Sequence, residues 1–483
     1  MSERAYTLLP FTFRKVVGDA TLLVNQAGEH HFVPSSVFDA LVRNELPLNT
    51  MAAADLESRH FIAVGDVEPA MDLLATKLRT RKSFLTKFTS LHMVVLTAHC
   101  NCRCSYCQVS STSEPGTKHM NVSTASRVVE LIFQSPSPVV KIEFQGGEPT
   151  LNWTVLETIV RHARRRSSET EKRLELVLCT NMLHLTDSML AFLAEHHIGV
   201  STSLDGPADL HDLHRVSPST KSTHAAFTEN LARVNATLGE GHCSPLVTLT
   251  SAHLPRLEEV VDEYVRLGFQ GIFLRPVNPY GIARQSWEDL SFPAGWFLNA
   301  YKRGLAYIID LNRSGIFFPE FYTTLLLTRI LTPFSTGFMD LQSPAGAGIS
   351  GVIYDYDGAV YPSDEARMIA RMGDTRFLLG NVHDHSFDQI FLGSKLRTLI
   401  AASCVEALPG CAWCAYQQFC GSDPIRNYVE SGRIEGHQPT SDFCRRHMGM
   451  LDHLFALLRE NDPSTLDIFW SWITNRPLHE VAL

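Results

Sequence analysis

Between residues 90 and 311, short wholly apolar runs alternate six times with longer stretches whose apolar positions recur every three or four residues. Runs that are apolar throughout suit strands of a parallel sheet covered on both faces, and the longer period suits amphipathic helices. The pattern predicts strands at His92–Ala98, Val139–Phe144, Leu174–Cys179, Gly199–Leu204, Leu246–Thr250 and Gly271–Arg275. It predicts helices at Ala125–Gln134, Asn152–Arg166, Asp187–His196, Ala225–Thr237, Leu257–Leu267 and Ala294–Leu311. Six βα units instead of eight predict an α/β fold, a partial (β/α)6 TIM-like barrel that stays open, with ligands at the C-terminal strand ends. No internal repeat is visible.

The flanks differ in rhythm. FRKVV, ATLLVNQAG and EHHFVP read as short strands with turns at Gly18-Asp19 and Gly28-Glu29. Ser35-Ser36 is a candidate cap for a helix, SSVFDALVRNEL, with Val37, Phe38, Leu41 and Val42 on its apolar face. A helix near Ala52–Ser58 and a strand at Phe61–Val64 follow, which suggests a winged-helix-like unit. The basic run KLRTRKSFLTK, residues 77–87, reads as a solvated linker or helix face. The expected division is 1–86, 87–325 and 326–483.

At 483 residues the chain is too long for one core. It is 45% hydrophobic and 19% charged, the profile of an ordinary globular protein. No run of 18 apolar residues exists, so no membrane association is expected, and the N-terminus lacks the h-region of a signal peptide. A net charge of −9 argues against sequence-independent nucleic-acid binding. The expected location is cytoplasmic. Eight of the 11 cysteines fall within 100–107 and 404–420, which points to metal or redox chemistry over a disulfide framework.

CNCRCSYC holds Cys100, Cys104 and Cys107 directly after the first predicted strand. Three thiolates on a short loop can hold three corners of a 4Fe-4S cluster and leave the fourth iron open. Structural zinc wants four protein ligands. Cys102 is one residue from each neighbour, which strains chelation, and is read as a spare.

With Tyr106 before the last cysteine, this stretch resembles the radical S-adenosylmethionine (SAM) enzymes. Gly146-Gly147-Glu148-Pro149 ends the second strand, like that family's GGEP motif, which holds the SAM amino group. Asn181, in Thr180-Asn181-Met182, ends the third. Ser203-Leu204-Asp205-Gly206-Pro207, with His211-Asp212 and Arg215, resembles the signature of the peptide-modifying branch. The resemblance implies that Ser203 and Arg215 contact the SAM ribose or carboxylate, and that Arg275 lies near its adenine.

Cys411, Cys414, Cys420 and Cys444 resemble the C-terminal SPASM domain of sulfatase- and peptide-maturing relatives. Pro424 and Ser363 stand where that domain places further ligands, and another is missing near Pro344-Ala345-Gly346. The ligands of one auxiliary cluster are thus gone together, which implies one auxiliary 4Fe-4S cluster on the remaining four. Zinc on the same thiolates is the alternative, and Cys404 is an outside candidate ligand. Cys179 and Cys243 are read as inert core residues. Asp364 matches the catalytic base of sulfatase maturases, with a solvated loop carboxylate as the alternative; Asp205 and Asp423 are weaker candidate bases.

The N-terminal unit resembles the PqqD-like element that recognises leader peptides of ribosomally made, post-translationally modified peptides (RiPPs). Taken whole, LLPFTFRK…LLVNQAG and PGCAWC…FCGSDP…SDFCRRHM resemble the B-type radical SAM maturase of His-Xaa-Ser systems. That implies a precursor peptide with His-Xaa-Ser repeats, a second radical SAM maturase, and an electron donor such as flavodoxin or ferredoxin. The implied chemistry is hydrogen abstraction by a 5′-deoxyadenosyl radical, with a cross-link (cyclophane-like) as product. Epimerisation or formylglycine-type oxidation are rivals on the same machinery. A non-catalytic iron–sulfur scaffold that presents a peptide is the rival of another class.

Overall fold

The computed structural model describes residues 6–16, 18–109 and 118–481. The chain forms two compact units: Met1–Thr86 with Thr323–Ala345 and Ala402–Leu483, and Lys87–Tyr322 with Gly346–Ala401.

In the first unit, strands β1 (Thr7–Leu8), β2 (Phe11–Val16), β3 (Ala20–Asn25), β4 (His30–Pro34) and β5 (Ile62–Ala63) form two small antiparallel sheets. Their orders are β2-β3-β4 and β1-β5. Leu23, Val33, Phe38, Leu41, Leu56 and Phe61 bury into one cluster between sheet and helices. The helix Ser35–Val42 starts after Pro34 with no side-chain cap, so the predicted Ser35-Ser36 cap is not formed. The sheet fixes this entry instead: Pro34 is still the last residue of β4. Thr50 does cap Met51–Ser58, accepting from the Ala53 amide at 3.2 Å. The first five residues of the predicted basic run, 77–81, end the helix Glu68–Arg81, and Ser83–Thr86 follows as a 3-10 turn.

The C-terminal segments belong to this same unit. The Arg14 guanidinium meets Asp452 at 2.7 Å, and the Tyr416 hydroxyl donates to the same carboxylate at 2.6 Å. Tyr416 stacks on Phe455, ring centroids 5.4 Å apart.

In the second unit, β6 (Leu91–Thr97), β7 (Val139–Gly146), β8 (Arg173–Cys179), β9 (Ile198–Ser203), β10 (Cys243–Leu249) and β11 (Leu274–Pro276) are the six expected strands. They run parallel in the order β11-β10-β9-β8-β7-β6. Three further strands extend the sheet beyond β6: β12 (Gly351–Tyr354), β13 (Ala359–Tyr361) and β14 (Gly380–Asn381). β12 joins parallel to β6, with Ile353 opposite Met93; β13 and β14 follow antiparallel. Residues 346–401 therefore complete the sheet and do not belong to a separate 326–483 segment. They are held by backbone pairing and by buried Val352, Ile353 and Tyr354. Likewise, 1–86 is not a compact unit on its own.

Helices fall between the parallel strands as the periodicity predicts: Val122–Ile132, Trp153–Thr170, Asp187–Glu195, Thr223–Leu238, Leu257–Arg266 and Ala294–Arg313. A short helix, Ala208–His214, adds a turn after β9. Among the described residues, no helix is long and apolar enough to cross a membrane.

Candidate functional site

The loop that leaves β6 is pinned by backbone hydrogen bonds on several sides. The amides of Arg103 and Ser105 donate to the carbonyls of Val216 and His214 at 2.7 and 2.9 Å. The Cys107 carbonyl accepts from Ile282 at 2.8 Å. The end of β7 closes over the loop's start: Gly147 and Glu148 amides donate to Thr97 and His99 carbonyls, both at 2.8 Å. A Cβ on Gly146 or Gly147 would stand 2.2 Å from those same two carbonyl oxygens. The two glycines are thus required by the approach of β7 to the cysteine loop, which no side chain could share.

This packing puts Cys100, Cys104 and Cys107 on one cavity of about 390 Å³, with Asn181, Ser203, Arg215 and Arg275 among its walls. Cys102 lines it too. The Asn181 amide donates to the Cys102 sulfur at 3.4 Å and to the Asn101 side chain at 2.7 Å. Cys104 is lowered to about 7, foremost by a hydrogen bond from Cys102, against the effect of burial and helped by Arg215. Cys102 is raised, chiefly by its hydrogen bonds to Cys100 and Cys104. None of the 11 cysteines is in a disulfide. Position alone does not separate Cys102 from the other three.

Asp205, expected at the cofactor, is fully buried and does not line the cavity. It accepts from the Tyr106 hydroxyl, from Arg215 Nε at 2.9 Å and from the Thr248 amide at 3.3 Å. Burial raises its carboxyl, but Arg215, then His211, His253 and Tyr106, hold it below the ordinary aspartate value. The Arg215 guanidinium lies over the Tyr106 ring, 5.3 Å from its centroid. Asp205 therefore sets Tyr106 inside the cysteine loop and presents Arg215 to the cavity.

Glu148, expected to meet an ammonium, is also fully buried. Its carboxylate accepts from Thr150 N and Oγ1 (3.1 and 2.7 Å), Thr180 Oγ1 (2.7 Å) and Asn181 N (2.8 Å). Those four donors tie the end of β7 to the end of β8. Pro149 is buried and opens a short 3-10 turn. Of the GGEP segment, Gly147 is the residue on the cavity wall.

Asp364 begins the helix Asp364–Arg371, which Ser363 caps. Its carboxylate meets Arg367 Nε at 3.0 Å, and its neighbour Glu365 meets Arg275 at 3.7 Å. Burial raises the Asp364 carboxyl above the ordinary aspartate value, outweighing Arg367. It is not itself on the cavity wall but acts on Cys179, which is. Asp423 caps the helix Pro424–Ser431, accepting from the Ile425 amide at 2.9 Å.

Cys179 corrects an expectation of place: it lines the cavity at the end of β8, though burial raises its thiol, whereas Cys243 is buried against Met182. No motif covers Lys141, Glu143 and Gln145. Glu143 and Gln145 line the cavity, and Lys141 Nζ meets Glu143 at 2.7 Å. The signal was present: KIEFQ alternates polar and apolar within a strand expected to be apolar throughout.

The second cysteine group occupies the other unit. Cys411, Cys414, Cys420 and Cys444 surround a cavity of about 80 Å³ whose walls include Tyr416, Phe443, His447 and Leu451. Ser441 caps the helix Asp442–Glu460 and holds the Cys444 amide at 3.2 Å. Burial raises Cys411 to about 11 and also raises Cys414, Cys420 and Cys444. Cys404 is not on this cavity wall. Pro424, at a vacated ligand position, starts a helix. Among the described residues, no three His, Cys, Asp or Glu side chains form a group that could hold a single metal ion.

Residues 94–249, from β6 to the end of β10, match the Radical SAM superfamily model. An uncharacterized protein of Methanocaldococcus jannaschii is 26% identical over 193 residues, 39% of this chain and 63% of that one. The cysteine-type anaerobic sulfatase-maturating enzyme of Clostridium perfringens is 22% identical over 374 residues, 74% of this chain and 94% of the enzyme. Native anSMEcpe with bound AdoMet superimposes with a TM-score of 0.64 at 19% identity, covering 77% of this chain and 98% of that structure. Streptococcus suis SuiB bound to its precursor peptide SuiA gives 0.51 at 12%, covering 89% and 98%. Most of the polar cavity at the mouth of the parallel strands thus lies in the segment that matches the Radical SAM superfamily model, in a chain similar in sequence to a sulfatase-maturating enzyme and in fold to SuiB.

Proposed function

We propose that this chain is a radical SAM maturase that modifies a ribosomally made precursor peptide, installing a cross-link within His-Xaa-Ser motifs. One observation carries the reading. Cys100, Cys104 and Cys107 share a polar cavity with Asn181, Ser203, Arg215 and Arg275, at the strand ends where this fold binds ligands.

The residues fit the group the domain requires. Cys100, Cys104 and Cys107 line the cavity together with Cys102, Asn181 and Arg215, and the Cys104 thiol is lowered to about 7. Cys100, Cys104 and Cys107 would hold a 4Fe-4S cluster, and Ser203, Arg215 and Asn181 would hold SAM. When bound, the reduced cluster and SAM supply one-electron chemistry that removes hydrogen from an unactivated carbon.

The chain's own residues do the rest. Tyr106 and Asp205 keep Arg215 aimed at the cavity, so its charge is fixed before a ligand arrives. Asp364, raised by burial, accepts a proton at its carboxylate when the pH lies above its shifted value. Cys411, Cys414, Cys420 and Cys444 would carry one auxiliary cluster as a SPASM-like domain, with flavodoxin or ferredoxin as donor. The N-terminal three-stranded sheet would receive the leader peptide at its edge, as a winged-helix-like recognition unit. Free cysteines suit a reducing, cytoplasmic setting. The names of the sulfatase-maturating relative and of SuiB with its precursor peptide support a protein or peptide substrate.

The test is mass spectrometry of a His-Xaa-Ser precursor peptide after anaerobic incubation with reconstituted, reduced enzyme and SAM. A cross-link removes two hydrogens, about two mass units per event. Deoxyadenosine release without any such loss would refute the cross-link.

A further inference from the structure

A cavity of about 420 Å³ lies in the unit built from the chain's two ends, and no cysteine lines it. Its walls carry Arg59, Lys77 and Arg81 against one acid, Glu29. Glu29 is already engaged: Lys77 Nζ and Asn25 Nδ2 donate to its two oxygens, and His60 stands 3.4 Å away. Neither guanidinium has an ion-pair partner among the described residues.

Arg81 is the more exacting of the two. Its terminal nitrogens donate to the carbonyls of Arg329 and Thr332 at 3.0 and 3.3 Å, while its buried Nε has no partner. A Cβ at Gly28 would fall 2.5 Å from its guanidinium carbon, and Gly28 sits at φ +76°; glycine makes the room. Burial lowers Arg81 to about 10. His30 is lowered to about 4, first by burial and then by Arg59, His31 and Arg81. The Arg81 shift reports burial, and the His30 shift reports burial beside cations. Glu29 only partly offsets the burial of Arg81, and an incoming anion adds to that offset.

Two features specify the anion's carrier. His30 is the first residue of β4, which among the described residues pairs with β3 alone, so its outer backbone edge has no strand partner, while Phe455 packs on the His30 and Phe32 rings. The cavity also has apolar walls at Ala27, Ile330, Leu331 and Pro333, more than a bare ion needs. We propose that this cavity receives a carboxylate side chain of an extended acidic peptide segment laid along β4. The inference rests on the peptide-maturase reading and names the chemistry of its recognition step.

Fluorescence anisotropy of labelled hexaglutamate with the full-length protein at low salt tests it without any catalysis. Hexaglutamate binds, hexaglutamine does not, and binding weakens as salt rises. R59E and T80E, both on exposed positions of the wall, weaken binding by about tenfold, while T80Q leaves it unchanged. Equal binding of hexaglutamine, or hexaglutamate binding untouched by R59E and T80E, overturns the proposal. So does equal competition by inorganic phosphate, which would make the pocket a site for free anions. None of these results bears on deoxyadenosine formation, so failure here and failure of the maturase reading are separable.

Discussion

The two cysteine groups solve different problems. The first stands on a single loop at the mouth of a parallel sheet, beside a cavity of about 390 Å³ walled by hydroxyls, amides and two arginines. The second draws cysteines from 411 to 444 around only about 80 Å³, among aromatic, aliphatic and amide side chains. Burial raises all four thiols of the second group, whereas hydrogen bonds split the first, raising Cys102 and lowering Cys104. A site that must admit a substrate keeps room and polar walls. The cavity proposed to hold an auxiliary cluster is small, with largely apolar walls.

Removing single cysteines breaks this comparison most severely. Cys107→Ala should abolish deoxyadenosine formation, and Cys420→Ala should preserve it. Each should lower reconstituted iron from about eight to about four per chain, counting two four-iron clusters. Equal loss of deoxyadenosine in both variants would remove the distinction between the groups.

Next in size is the buried support of the open site. Asp205→Asn leaves Arg215 without its counter-charge and should destabilise the protein by about 3–5 kcal/mol, read from denaturant unfolding. Because the Asp205 carboxyl is held low when folded, its contribution is present above the ordinary aspartate range and is lost as pH falls through the lowered folded value. The variant's deficit should therefore shrink in acid. A deficit independent of pH would contradict the pairing.

Asp364→Asn should slow peptide product formation by about 10²-fold while deoxyadenosine still forms. Since burial raises its carboxyl, the wild-type rate should decline with acidification above the ordinary aspartate range, and that limb should be missing in the variant. The smallest effect is expected from Cys179→Ser, which keeps a hydrogen-bonding group on the wall: iron content and deoxyadenosine yield should stay near wild type. A large iron loss would make Cys179 a ligand.

The sequence made the six parallel strands and their helices legible because continuous apolar runs and helical periodicity are local signals. It also made the two cysteine groups legible, although the structure sets four cysteines on the first cavity, Cys102 included, and four on the second. It hid what depends on distant pairing. β12 to β14 are two to four residues long and lie about 250 residues from the strand they extend. Glu148 and Asp205 look like ligands in a motif, yet their carboxylates are saturated by neighbours that no spacing rule reveals. Cys179 reads as core because a parallel strand is apolar on both faces in sequence, while only one face meets the cavity.

The central claim is that three of the four clustered cysteines, and only three, make the reactive centre. Deoxyadenosine should be measured after anaerobic reconstitution, reduction and SAM addition, for wild type, Cys102→Ala and Cys104→Ala. Product from wild type and Cys102→Ala, with none from Cys104→Ala, is the predicted result. No product from iron-loaded wild type, or product from Cys104→Ala, would contradict it.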